Sequence, residues 1–268
     1  MNPVVTTLIA NYNLSQYLGN AIDSALEQTY SVYKNIICIV DDGSTDGSWD
    51  LITSYFTDSY AEIVKDETEE GGLLIIREDN TGPYGYTTLI AIKCKNGGPS
   101  KARNIGIDYT IDETDIYAIL DADDWMKSSK INTCVSVLKK SPMIGAVYAD
   151  YDTINTETGK VIREYKEPYS RDKLVRECIV HSGSLITKQA LVNTKEETGY
   201  YDETMRTCED YDLWMRISEK YIIGHVPLAL TNVRVTGLNS SFTVDQSVWG
   251  RNWQRVVEKA QQRANGQQ

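Results

Sequence analysis

An alternation over roughly the first half of the chain constrains its fold more than any other feature. Apolar runs of strand length, rich in β-branched residues, take turns with segments whose apolar residues recur at helical spacing. Val4 to Ala10 is the first such run, and Leu14, Leu18, Ile22 and Ala25 follow it at a helical period. Asn35 to Val40 reads as a second strand and Ser48 to Phe56 as a short helix. Leu73 to Arg77 reads as a third strand, Ser100 to Asp112 as a helix and Ile116 to Leu120 as a fourth strand. Such a chain is expected to be an α/β protein with an open, mainly parallel twisted sheet flanked by helices. Two stretches interrupt the series: Asp58 to Gly72 reads as an acidic loop, and Thr81 to Lys95 as an inserted hairpin. After Asp124 the pattern changes. Ile131, Cys134, Val135 and Leu138 mark a helix, Ala146 to Asp150 and Val161 to Tyr165 read as strands of mixed direction, and helices are expected near Glu209 to Lys220 and Gln246 to Ala264. The expected organisation is therefore 1–125, a covering mixed-sheet half over 126–244, and a terminal helix with a frayed tail over 245–268.

Charge and composition narrow the partners. The 268 residues carry a formal charge of −11, which disfavours nonspecific binding to nucleic acid or to an anionic membrane surface. No apolar run approaches the roughly 18 residues that a transmembrane helix needs. The first basic residue is Lys34, so no secretory start is read and a cytoplasmic location is expected; a peripheral membrane contact through the terminal helix stays open. The five cysteines, Cys38, Cys94, Cys134, Cys178 and Cys208, form no CxxC pair and read as isolated thiols.

In an open parallel sheet, ligands bind beyond the carboxyl ends of the strands. Here the first strand runs into Asn11-Tyr12-Asn13, the second into Asp41-Asp42-Gly43-Ser44 and the fourth into Asp121-Ala122-Asp123-Asp124. One acidic turn alone is ordinarily a solvated loop or a helix cap; three at one sheet edge favour a site. Three carboxylates within four residues repel one another, and a hard divalent cation, Mn²⁺ or Mg²⁺, would relieve that with substrate phosphates among its ligands. Asp42, Ser44 and Asp46 imitate half of a calcium loop, but its twelfth position is Thr53 where a glutamate is required. With Ser100 as N-cap, Lys101 and Arg103 fall in the first turn of a helix, where the dipole disfavours cations unless an anion such as a diphosphate lies in front. Glu209 and Asp210 open a later helix, either as simple dipole partners or with one of them as a general base at the rim of a pocket. His181 and His225 are too far apart in sequence for a triad and read as structural.

Taken in order, these pieces resemble the family 2 glycosyltransferases of the GT-A fold. The matching segments are Asn11-Tyr12-Asn13, Tyr17-Leu18 to Ala21-Ile22, Val40-Asp41-Asp42-Gly43-Ser44-Thr45-Asp46, Ala102-Arg103-Asn104-Ile105-Gly106-Ile107, Leu120-Asp121-Ala122-Asp123-Asp124, and Gly199-Tyr200-Tyr201-Asp202-Glu203 running into Glu209-Asp210-Tyr211-Asp212-Leu213-Trp214. The resemblance implies a nucleoside-diphosphate sugar donor, most often a uridine diphosphate sugar, bound along Ala10, Asn11, Tyr12, Asp121 and Ala122. It makes Asp41 or Asp42 the acid that contacts base and ribose, and Lys101 or Arg103 the partner of the diphosphate. Asp123 matches the direct ligand of Mn²⁺ or Mg²⁺, and Asp121 the family's ribose- or metal-side acid. Asp210 matches the catalytic base, with Glu209 beside it, in a single inverting displacement onto a hydroxyl of a glycan, lipid-linked or protein acceptor. The sequence departs at Thr236, where many relatives carry a histidine; water or His181 would then stand in at the metal. A catalytically weak nucleotide-sugar or glycan-binding module is the competing expectation. A sugar-nucleotide-forming nucleotidyltransferase is disfavoured, because no glycine-rich basic segment follows the first strand.

Overall fold

The computed structural model describes residues 2–30, 34–56, 73–79, 86–236 and 243–266. Its centre is a block of four parallel strands: β1 (Val5–Asn11), β2 (Lys34–Asp41), β4 (Tyr86–Lys93) and β5 (Ile116–Asp121), in the spatial order β4-β2-β1-β5. β3 (Leu73–Asp79) lies antiparallel to β4 at one edge. On the other side β9 (Leu185–Thr187), β7 (Ile144–Asn155), β10 (Ile222–Val235) and β6 (Trp125–Met126) continue the sheet, and β8 (Lys160–Glu164) pairs with β7. This half mixes directions, β10 running parallel to β7 and β9 antiparallel to both β5 and β7.

Side chains alternate between two cores, as the period of a strand requires. Leu8, Ile36, Cys38, Val40, Tyr117 and Ile119 face one side, where α3 (Pro99–Thr110), α6 (Lys188–Asn193) and α7 (Glu209–Lys220) pack. Val5, Ile9, Ile37, Ile39, Ala118 and Leu120 face the other, against α1 (Ser15–Leu26), α2 (Ser48–Ser54) and α4 (Lys130–Leu138). Gly106 sets how closely α3 approaches: a Cβ there would lie 2.4 Å from Leu8 Cδ1 and 3.0 Å from Val40 Cγ2.

Three expectations change. The segment read as an inserted hairpin contains β4, a full parallel partner of β2 from Lys34↔Tyr86 to Asp41↔Lys93. Leu89, Ile90, Ala91 and Ile92 are all buried, and a strand covered on both faces loses the alternation by which a half-exposed strand is recognised. The antiparallel edge strand is instead β3. The acidic stretch 58–72 and residues 81–85 lie outside the described residues. Second, the helix expected from Ser100 begins at Pro99, with Gly98 as N-cap, so Ser100 is buried inside its first turn. Third, the expected frayed tail is helical as far as Gly266, in α8 (Gln246–Gly266). Arg263 ties that end down, its Nε 3.0 Å from Glu219 Oε1 and its Nη1 3.0 Å from Glu196 Oε1. Short elements between 171 and 193, including α5 (Arg171–Leu174), are too brief to have left a periodic signal.

Candidate active site

The parallel block brings three strand ends level. Ala10 stands opposite Asp121 on one side and Val40 on the other, and Asn11 stands opposite Asp41. The strand order reverses between β2-β1 and β1-β5, which is where an open α/β sheet opens a crevice. A cleft of about 470 Å³ lies there. Ala10, Tyr12, Asp121, Ala122, Asp123 and Asp124 line it from the sheet, Arg103 from α3, and Glu209 and Asp210 from α7.

Arg103 organises this cleft. It is buried, its Nη2 donates to Asp121 Oδ1 at 2.8 Å and its Nη1 donates to Glu209 Oε1 at 2.8 Å. The next residue does separate work. Asn104 Nδ2 donates to Tyr201 O and Glu203 Oε1, both at 2.9 Å, and its Oδ1 accepts from Tyr201 N at 2.9 Å. That clamp holds the chain from Gly199 onward against α3. Gly199 has φ +110°, and a Cβ there would come within 2.2 Å of Asn104 Nδ2. The clamped chain leads to Cys208, whose φ of 60° is left-handed and turns the backbone into α7.

The acids differ in state. Asp210 is pushed up to about 7, first by burial and then by neighbouring Glu209, with Arg103 opposing. Burial also pushes Asp121 up, but the Arg103 guanidinium and the Ser182 hydroxyl outweigh it and leave its pKa lowered. Ser182 Oγ donates to Asp121 Oδ2 at 2.9 Å. Asp124 is raised well above the usual carboxylate range, by burial and then by Asp123 and Asp121. Its Oδ1 accepts from Arg234 N at 2.9 Å. Arg234 Nε also donates to Asp123 O at 2.9 Å, and the guanidinium lies between the rings of Tyr17 and Trp125. β10 thereby pins the acidic turn that follows β5.

Other expected residues sit elsewhere. Asp41 and Asp42 do not line the cleft: Asp41 Oδ1 accepts from Asn11 Nδ2 at 2.9 Å, and Asp42 accepts from Gly97 N and Gly98 N at 2.8 Å each. The anion that the first turn of α3 calls for is thus present within the chain, as the Asp42 carboxylate. Lys101 is likewise absent from the cleft lining, and Asn11 is buried in the strand-end network. His181 does line the cleft, with its Nδ1 accepting from Gly183 N at 3.0 Å and its ring against Tyr151. Burial, followed by the charge of Lys130, lowers it to about 3, so it is neutral. His225 is structural, as expected, stacked on Tyr148 with Nε2 2.9 Å from Asp150 Oδ1. Ser182, Arg206, Thr207, Cys208 and Trp249 also line the cleft and were not singled out for it in the sequence. Loops and the terminal helix bring them there, and no local spacing announces that.

Among the described residues no three His, Cys, Asp or Glu side chains form a ready-made metal cage. The donor chemistry nevertheless suits a hard cation. Burial raises Asp124 first and the neighbouring Asp123 and Asp121 raise it further; a cation would relieve that second, negative-charge part, and Mg²⁺ or Mn²⁺ needs only one or two carboxylates when phosphate oxygens complete its shell. Asp121 and Asp123 both line the cleft.

Two family profiles match the chain: "Glycosyl transferase family 2" over residues 6–85 and "Glycosyltransferase like family 2" over residues 89–252. Among curated relatives, the chondroitin synthase and the hyaluronan synthase of Pasteurella multocida are each 25% identical over 241 residues, covering 89% of this chain and 21% of theirs. The chain spans about a fifth to a third of the length of the first such relatives. Among solved structures, S. aureus TarS in complex with UDP-GlcNAc superposes with a TM-score of 0.67 at 13% identity, over 96% of this chain and 66% of that one. A mannosyltransferase from Pyrobaculum calidifontis, in complex with GDP-Man and Mn²⁺, superposes with a TM-score of 0.57 at 18% identity, over 89% and 59%. At such identities these structures establish the GT-A fold. The profiles carry the rest: the sheet-edge cleft and the segments that line it fall inside them, and the chain belongs to the family 2 glycosyltransferases.

Proposed function

We propose that this protein is an inverting glycosyltransferase that moves a sugar from a nucleoside-diphosphate sugar, most simply a UDP-sugar, to a hydroxyl acceptor. One observation carries the reading: Asp210, raised to about 7, shares one cleft with the strand-end acids and Arg103. A base poised near neutrality can be ionised when the acceptor arrives and still hold a proton afterwards.

In this reading residues 1–125 provide the donor half and 126–244 the acceptor half, with the reaction at their seam. Asp210 accepts the proton of the acceptor hydroxyl. The freed oxygen forms a bond to the anomeric carbon from the face opposite the nucleotide. The bond from that carbon to the diphosphate oxygen breaks, its electrons remaining on the diphosphate, and the anomeric configuration inverts. Asp123 and Asp121 hold the divalent cation, Mn²⁺ or Mg²⁺, which when bound supplies charge against the leaving diphosphate. Arg103 keeps Asp121 and Glu209 in place and screens the carboxylates from one another. Donors in complex with structural neighbours, UDP-GlcNAc with TarS and GDP-Man with the Pyrobaculum enzyme, support a nucleotide-sugar ligand.

The test is a thermal-shift panel of UDP, GDP, dTDP and CMP with and without Mn²⁺, followed by transfer assays with the sugar donors of whichever nucleotide binds. Ligand at 100 times its Kd adds about 2.7 kcal/mol, several degrees for a chain this size. A metal-dependent rise with one nucleotide is expected. No rise with any of them would reject the reading.

A further inference from the structure

Among the described residues the cleft is lined by five carboxylates, those of Asp121, Asp123, Asp124, Glu209 and Asp210. Against them stand two arginines and His181. Arg103 already uses both terminal nitrogens on Asp121 and Glu209, and His181 Nδ1 accepts from Gly183 N. Arg206 differs. It is exposed at the cleft wall, and among the described residues no hydrogen bond or ion pair engages it. An anionic group entering so acidic a cleft needs a local countercharge, and Arg206 is the lining cation that has one to give.

A second feature lies beside it. α8 sends Trp249 into the cleft lining, and among the described residues the indole Nε1, shielded from solvent, has no hydrogen-bond partner. A buried indole N–H ordinarily finds one. What the indole offers the cleft is an apolar face on which a sugar ring can stack.

The two parts are fastened together. Asn252 Nδ2, one turn along α8 from Trp249, donates to Thr207 Oγ1 at 2.9 Å, and Thr207 follows Arg206 directly. Trp253 stacks on Tyr211 with ring centroids 4.5 Å apart, and Tyr211 follows Asp210. Val256 is fully buried beneath. Trp249 and Arg206 are therefore held in fixed relation to the base, on the side of the cleft built by α7 and α8 rather than by the donor-side strand ends.

Building on the glycosyltransferase reading, we propose that Trp249 and Arg206 form an acceptor subsite for an anionic glycan. The sugar ring lies on the indole, and a carboxylate or phosphate it carries meets the guanidinium. Both groups have the planar or tetrahedral oxygen sets that a guanidinium binds in a bidentate way.

The test uses the full chain with UDP and Mn²⁺ present and three trisaccharide probes, ended by glucuronate, by a phosphorylated hexose and by a neutral hexose. Probe binding is read by NMR titration and UDP binding by calorimetry. The better-bound acidic probe is expected to exceed the neutral one at least tenfold, and to lose that advantage in R206Q and at high salt. W249A weakens all three probes, and W249F recovers most of the loss. UDP affinity stays within twofold in every variant. Equal binding of neutral and acidic probes would overturn the subsite, as would an R206Q or W249A defect that falls equally on UDP. Absent UDP binding with acidic preference intact would reject the glycosyltransferase reading and leave the subsite standing, and UDP binding without that preference would do the reverse.

Discussion

Arg103 and Asp121 form the ion pair that joins α3 to the end of β5, at 2.8 Å, and the second terminal nitrogen of Arg103 reaches Glu209 on α7. The guanidinium is buried, while Asp121 keeps part of its surface toward the cleft. Removing it leaves two carboxylates facing each other. Breaking a buried pair costs about 3–5 kcal/mol, and the open face of Asp121 brings the expectation down to about 2–3. At about 2–4 °C per kcal/mol, R103M should melt several degrees below wild type and bind UDP more weakly. R103K, which keeps one charge without the fork, should fall between. A melting point unchanged in R103M would show that the pair does not stabilise the site.

The state of Asp210 predicts a pH profile. A base must be ionised to act, so kcat/KM should rise with pH through about 7 and flatten above it. D210N should lower kcat by about 10²–10⁴ and remove that limb. Stability runs the other way. The folded protein holds a proton on Asp210 between the ordinary aspartate value of 3.8 and about 7, where the unfolded chain has lost it. The contribution of this group to stability is therefore fully present at low pH and declines as pH rises through that window. Melting curves of wild type and D210N across the window should differ by that slope. A wild-type activity profile that is flat from 5 to 9 would remove Asp210 as the base.

Much of this was legible in the sequence, and the unread parts share physical causes. The parallel block was readable because each strand run ends in a polar turn, and those turns met at one edge as expected. β4 was misread because burial on both faces erases alternation. Arg103 was readable as a cation misplaced in a helix's first turn. Its neighbour Lys101 gave the same signal, yet only Arg103 lines the cleft. A one-dimensional pattern marks a helix's first turn without saying which side faces the ligand. Asp42 was readable as an acid at a strand end, but its preoccupation with Gly97 and Gly98 depends on a turn 55 residues away. Arg206 and Trp249 lie in segments with no strand-end or motif signal, and only the packing of α8 on α7 brings them to the cleft.

The acidic turn yields a metal prediction. Asp124 is committed to Arg234 N, and both carboxylate oxygens of Asp121 have protein partners. In the proposed function Asp123, which lines the cleft, is the direct ligand of the cation. D123A should abolish the enhancement of nucleotide binding by Mn²⁺ while the metal-free protein stays folded and unfolds in one cooperative transition. D124N should instead lower stability, because it disturbs the contact between the acidic turn and β10. Calorimetry with and without EDTA separates the two. Undiminished metal dependence in D123A would take that residue off the ligand set.

The last prediction concerns Lys259, which fastens α8 to the site. Its ammonium lies 2.9 Å from Asp202, 3.0 Å from Asp212 and 2.8 Å from Glu196. Asp212 is fully buried and also holds Arg216 Nε at 2.8 Å, so it answers two cations. Replacing Lys259 by methionine keeps the stem and removes the charge, leaving Asp202 and Asp212 under-compensated. K259M should lose about 2–4 kcal/mol and raise the proteolytic sensitivity of α8 before that of the sheet. A double-mutant cycle with D212N tests the cause. If the loss comes from the unanswered Asp212 carboxylate, the double variant should recover about 0.5–3 kcal/mol relative to additivity. Additive losses would mean that Lys259 acts through packing of its stem instead. Because Trp249 rides on the same helix, K259M should also weaken glycan binding more than UDP binding, which ties the docking of α8 to the acceptor side of the cleft rather than to the donor side.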